Sequence, residues 1–222
     1  MNRLPMPTEN ARSTAAIAGA VVSDLLPIGS NTVNELWQQT LRRRYEAGQQ
    51  ILIEEVRKKG IEALADEQLN YFVPASYRFF ENVRLGTCEH ALKFLASFMA
   101  NELSKEYSEV PKTSKVADAV SGLDEIDIQL FHDAYKSECI NRAGEEGLPC
   151  TSAKKIMELF PARYENTNET VLTSSLSYLA SKNLLFQMGP VTIDDQLPFY
   201  RVSRLGWELV GAAADILRTE SD

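Results

Sequence analysis

The chain has 222 residues, a net charge of −8, 44% apolar residues and 24% charged ones. That length suits one large or two small domains, and the composition is that of an ordinary globular protein rather than a basic polyanion binder. Three cysteines, Cys88, Cys139 and Cys150, are too few and too scattered for a disulfide framework; with no secretory signal pattern at the start, a reducing, cytoplasmic setting is expected.

Residues 1–13 carry prolines and polar groups and are expected to be a flexible N-terminus. Thr14–Leu26 is alanine-rich and predicts a short helix ended by Pro27. Its small residues fall four apart in two pairs, Ala15 with Gly19 and Ala16 with Ala20, so each pair shares a helical face and permits close approach of another helix. Burial inside the same domain and use as a docking or homodimer interface both fit this pattern. A membrane-associated hairpin turning at Pro27–Ser30 is a lesser alternative, because a bilayer span needs about 20 apolar residues.

A long helix is expected over Val33–Lys59, with Leu36, Trp37, Leu41, Tyr45, Leu52 and Val56 on its apolar side and Gly60 as its C-cap. Arg42–Arg44 lies among interleaved glutamates, which favours a solvated face over an anion site. Ile61–Ala65 reads as a short helical continuation. Asp66 is expected to cap a further helix that Pro74 breaks or kinks, followed by an aromatic-rich stretch over Tyr77–Val83. Thr87–Lys105 predicts a strong helix through Leu92, Leu95, Phe98, Met99 and Leu103. Residues 14–105 thus form an expected helical domain. Residues 106–122 read as a linker, with a short helix at Lys115–Val120.

A second domain is expected over 123–218. Asp124 caps a helix over Glu125–Arg142 with Ile126, Leu130, Phe131, Ala134, Tyr135 and Ile140 facing inward. Thr151 or Ser152 caps a second helix, Ala153–Phe160, and Glu169–Ser181 forms a third with Leu172, Leu176 and Leu179 inward. Lys182–Asn183 ends it, asparagine tolerating the left-handed conformation. Leu184–Met188 and Phe199–Val202 read as strands, and Ser203 caps a closing helix through Leu217.

The segments LTSSLSYLASKNLL (Leu172–Leu185) and YRVSRLGWELV (Tyr200–Val210) carry a resemblance to the winged-helix domain, a helix-turn-helix variant. The Leu172–Leu185 segment resembles a recognition helix running into a strand. The Tyr200–Val210 segment resembles the strand and Ser-capped helix that close many bacterial winged-helix regulators, with Ser203 and Gly206 in the cap and glycine places. The resemblance covers under half of the chain; residues 1–120 resemble no family. It implies a mainly α fold in which the helical domain precedes a winged helix with a two-stranded hairpin. It also implies a DNA-binding regulator or accessory factor whose helical domain dimerises or senses.

In such domains the third helix enters the major groove. Here its exposed side chains would be Glu169, Thr170, Thr173, Ser174, Ser177, Ser181 and Lys182, and further phosphate contacts could come from Lys154, Lys155, Arg163, Arg201 and Arg204. The helix has no arginine, the residue that most often reads guanine. The wing, expected over Gly189–Leu197, carries Asp194 and Asp195. Residues 121–222 hold 9 Lys/Arg against 16 Asp/Glu, a poor balance for neutralising phosphates. The alternative is a protein–protein adaptor whose acidic winged helix binds a protein partner.

No enzyme is expected. The only histidines, His90 and His132, fall in different expected domains. Neither Cys88 and His90 nor the series His132, Cys139, Cys150 has the spacing of a zinc site, and no phosphate-binding loop is present. Nothing in the sequence indicates a metal, a cofactor or a small-molecule ligand.

Overall fold

The structure, a computed structural model, describes residues 12–25, 32–105, 110–143, 150–189 and 198–212. It is mainly helical, with a small two-stranded antiparallel sheet near the C-terminus. The chain divides into two compact units, one running to Gly122 and taking in Ala212, the other spanning Leu123–Gly211.

In the first unit a two-residue strand β1 (Arg12–Ser13) leads into α1 (Thr14–Leu25) and α2 (Thr32–Lys58). Gly60, at φ 73°, turns the chain out of α2 into β2 (Ala63–Leu64), which pairs antiparallel with β1. Two expectations are corrected here. Ile61–Ala65 is not helical, because the left-handed Gly60 stops the helix and a fully buried Leu64 is held in the ladder; tertiary pairing overrides a helix-forming sequence. Arg12 and Ser13, assigned to a flexible terminus, are paired to Leu64 and Ala63; residues 1–11 lie outside the described residues.

Next come α3 (Asp66–Leu85), α4 (Glu89–Leu103) and α5 (Val110–Val120). α3 runs unbroken past Pro74. The proline removes one intrahelical bond, but the helix is held by a buried stripe of Phe72, Ala75, Phe79, Phe80 and Val83. Its N-cap is Ala65 rather than Asp66, and the Gln68 side chain accepts from the Ala65 N–H at 3.0 Å. α4 is buried on nearly every side, from Ala91 to Leu103, so it is the centre of the unit and packs against α2, α3 and α5. Gly48 lets α2 approach α3: a Cβ there would lie 2.6 Å from Val83 Cγ2.

The stretch expected to be a linker is itself built in. α5 begins at Val110, not Lys115, and buries Thr113, Val116, Ala117, Ala119 and Val120. The Thr113 and Tyr71 hydroxyls share a 2.7 Å hydrogen bond, and burial pushes the Tyr71 phenol well up. Residues 106–109 lie outside the described residues.

The second unit contains α6 (Glu125–Ala143), α7 (Ala153–Leu159), α8 (Pro161–Tyr164), α9 (Glu169–Ser181), β3 (Leu185–Met188), β4 (Phe199–Val202) and α10 (Arg204–Ala212). Asp124 and Asp127 cap α6 reciprocally, each carboxylate accepting the other's backbone N–H at 2.8 and 3.2 Å. Leu130, Phe131 and Ala134 face inward as expected, but Ile126 and Ile140 are 73% and 51% exposed. Their inward places are taken by Ile128 and by buried polar residues. Asp133, Ser137 and Glu138 are fully buried, and each finds partners inside the unit. A short helix, α8, stands where sequence predicts only a proline stop and a turn.

β3 and β4 pair in register from Leu185↔Val202 to Met188↔Phe199. Thr151, just before α7, adds a bridge to Tyr200 through two 2.8 Å backbone bonds. The end of the hairpin is pinned at the start of α10. Ser203 Oγ accepts the Gly206 N–H at 2.9 Å and donates to the carbonyl of Asn183, which sits at φ 60°. A Cβ on Gly206 would lie 2.5 Å from the Leu184 carbonyl oxygen and 2.8 Å from Val202 Cγ1. The closing helix expected through Leu217 is described only to Ala212.

Backbone atoms cannot yield as a flexible side chain can. Gly206→Ala is therefore expected to destabilise this unit by about 1–3 kcal/mol through overpacking. Gly211→Ala meets nothing within 4 Å and is expected to stabilise by about 0.5–1 kcal/mol through helix propensity. Urea unfolding followed by Trp207 fluorescence in a Trp37→Phe background measures both.

Candidate interaction surface

α9 is capped by Asn168, whose side chain accepts the Thr170 N–H at 2.8 Å. Its leucines are spaced so that Leu172, Leu176 and Leu179 all enter the core. The same periodicity turns Val171, Ser174 and Tyr178 outward. Val171 is 59% exposed and Tyr178 39%. On the adjoining strand β3, Phe186 is 64% exposed.

The hydroxyls expected to reach DNA are largely engaged within the unit. Thr173 Oγ1 donates to the Glu169 carbonyl at 2.9 Å and Ser174 Oγ to the Thr170 carbonyl at 3.0 Å, the back-bonding that helical Ser and Thr adopt. Ser181 Oγ donates to the Tyr178 carbonyl at 2.7 Å. Ser177 Oγ shares a 2.8 Å bond with the Tyr200 hydroxyl, which also donates to the Thr173 carbonyl at 3.1 Å. Ser177 therefore ties α9 to β4, and burial pushes the Tyr200 phenol up. Thr170 stays exposed, with its backbone N–H committed to the cap.

The candidate cations are spread over α7, α8, the end of α9, β4 and the start of α10. Lys182 lies 5.6 Å from the centre of the Tyr178 ring and its charge acts on Asp127, whose carboxyl is nonetheless pushed up by burial. Arg204 pairs with Glu208 on α10 at 3.2 Å. Lys155 and Arg201 both act on Cys150, whose thiol burial pushes up, while Lys154 is exposed on α7. Arg163 neutralises the buried Asp133, donating from Nη1 to both carboxylate oxygens at 2.5 and 2.6 Å. The Tyr164 hydroxyl donates to the same carboxylate at 2.8 Å, and burial together with that bond pushes its pKa strongly up. Asp194 and Asp195 of the expected wing lie outside the described residues.

The small residues of α1 separate into two roles. The Ala15 carbonyl accepts from Gln49 Nε2 at 3.5 Å, and a Cβ on Gly19 would sit 3.5 Å from the same amide, so this pair packs on α2 inside the unit. Ala16 and Ala20 remain exposed. Among the described residues no helix is long and apolar enough to cross a membrane, and no group of three or more His, Cys, Asp or Glu could hold a metal ion. His132 and Cys150 are buried, and Cys88 and Cys139 half-buried.

Three features went unread in the sequence: the Asp133–Arg163–Tyr164 cluster, the Ser177–Tyr200 link and the exposed Val171, Tyr178 and Phe186. The first two join residues 23 or more positions apart, beyond any local pattern. The third could have been found, since Val171 and Tyr178 fall seven apart, off the leucine stripe.

Compared with known proteins, the chain matches no family model, no curated protein and no solved structure.

Removing one partner of a buried charge costs more than removing both. Arg163→Met and Asp133→Asn are each expected to destabilise, and the double variant to fall short of their sum by about 1–3 kcal/mol, the coupling of a bonded pair. A double-mutant cycle by urea unfolding gives that number.

Proposed function

We propose that the second unit is a winged helix that docks a protein partner through α9 and β3, making the chain a non-enzymatic interaction protein. The order of its elements supports the first half of this reading. Three main helices, an antiparallel hairpin and a closing helix follow one another, and Thr151 bridges to Tyr200 of β4.

The observation that carries the second half is the outward face of α9 and β3. Val171, Tyr178 and Phe186 present apolar and aromatic area at 39–64% exposure. Aromatic side chains are the usual anchors of protein interfaces, where they bring large area at low entropic cost. The hydroxyls of Thr173, Ser174 and Ser177 are bonded to the helix backbone or to Tyr200, and no arginine lies on the helix. The acidic balance of residues 121–222 points the same way. A DNA-binding regulator or accessory factor is the second reading; exposed Lys154 and the neighbouring Lys155 and Arg201 favour it.

The two separate cleanly. A photo-crosslinking phenylalanine at position 178 or 186 is expected to give a discrete protein adduct in cells that is lost in a Val171→Asp background, and random duplex DNA is expected to leave the purified chain unbound at low salt. DNA binding that falls linearly with the logarithm of salt and weakens in Lys154→Ala/Lys155→Ala/Lys182→Ala would instead select the DNA reading.

A further inference from the structure

Between α1 and α3 the first unit leaves an open groove of about 810 Å3. Its origin is compositional. α3 carries a second row of apolar residues, Leu69, Val73 and Tyr77, spaced four apart and turned away from the fully buried stripe that includes Phe72 and Phe79. Facing that row, α1 presents Ala16 and Ala20, whose single methyl groups cannot fill the space. A volume of this size falls within the roughly 300–1,000 Å3 of organic-ligand sites.

The polar groups of the groove are the neutral Ser13, Asn70 and Tyr77 and the carboxylate of Asp24. Asp24 is the only charged one among the described residues lining it. The Tyr77 hydroxyl donates to one oxygen of Asp24 at 2.8 Å, and a carboxylate has room for further donors. Asn70 and Pro74 also line the wall. Proline has no N–H, so the Asn70 carbonyl loses the donor that residue 74 supplies in a regular helix. Among the described residues the groove thus offers one carboxylate beside an apolar wall, and no Lys or Arg to meet a carboxylate or phosphate.

We propose that the α1–α3 groove binds an amphipathic organic cation, its alkyl or aryl body against Ala16, Ala20, Leu69 and Val73 and its ammonium on the Asp24 carboxylate. This site belongs to the helical unit and stands independently of the reading given to α9 and β3.

Calorimetric titration of the full chain with decylammonium and with decanoate, both well below micelle formation, tests it. Decylammonium is expected to bind one site and decanoate to bind far more weakly. Asp24→Asn is expected to lower decylammonium affinity about three- to fivefold, the size of an exposed ion pair. Ala20→Phe fills the groove from an exposed position and is expected to abolish binding while keeping the thermal midpoint. Failure of the native chain to bind decylammonium, equal or tighter decanoate binding, or unchanged binding in Ala20→Phe would overturn the proposal. So would light scattering that shows a native dimer broken by Ala20→Phe, because the groove would then hold a second copy of the chain.

Discussion

The second unit depends on one close approach. The backbone of Gly206 at the start of α10 sits against the Leu184 carbonyl, with Val202 and Phe131 on either side. That single point joins the strand entry after α9, the strand exit before α10 and the first helix of the unit. It is possible only because three local requirements coincide: Asn183 accepts a left-handed conformation, Ser203 caps α10 while binding the Asn183 carbonyl, and residue 206 has no side chain. With the hairpin base held there, α9 can commit its leucines to the core and Ser177 to Tyr200, which leaves Val171, Ser174 and Tyr178 facing outward.

A second constraint is the polar seam along α6. Asp133 and Glu138 are buried acids on one helix, and each has its acceptor capacity used by a group distant in sequence. Glu138 accepts the Val202 N–H and so reaches β4; Asp133 takes Arg163 and Tyr164 and so fixes α8. Such pairs contribute little net stability against apolar packing of the same shape. Their effect is to make one arrangement of α6, α8 and the hairpin better than its neighbours, since any shift strands a carboxylate without donors.

These two features mark what was legible in the sequence. Regular spacing announced α9 to the residue, and Ser203 was read as the cap of α10, because both depend on residues within a few positions of one another. The mainly helical class followed from the same periodicities. What escaped was decided by distant partners. β2 is an extended pair inside a helix-forming stretch, α5 is an integral helix in a polar segment, and Ile126 and Ile140 yield the interior of α6 to acids that arginine, tyrosine and a backbone amide satisfy. The candidate site followed this division. The outward face of α9 was readable, and so in principle was the local back-bonding of Thr173 and Ser174, but not the bond from Ser177 to Tyr200, 23 positions away.

That engagement is the physical reason the two functional readings are not equivalent for this molecule. Reading a base edge needs donors and acceptors held free at the helix surface until the duplex supplies their partners. Here Thr173, Ser174 and Ser181 bond to their own helix turns and Ser177 to Tyr200, while Val171 and Tyr178 are left to water. Such a surface gains from contact with something that removes apolar area from solvent, and gains little from a lattice of phosphates and base edges. The proposed protein-docking role therefore follows from which side chains α9 leaves unsatisfied, rather than from the fold that presents them.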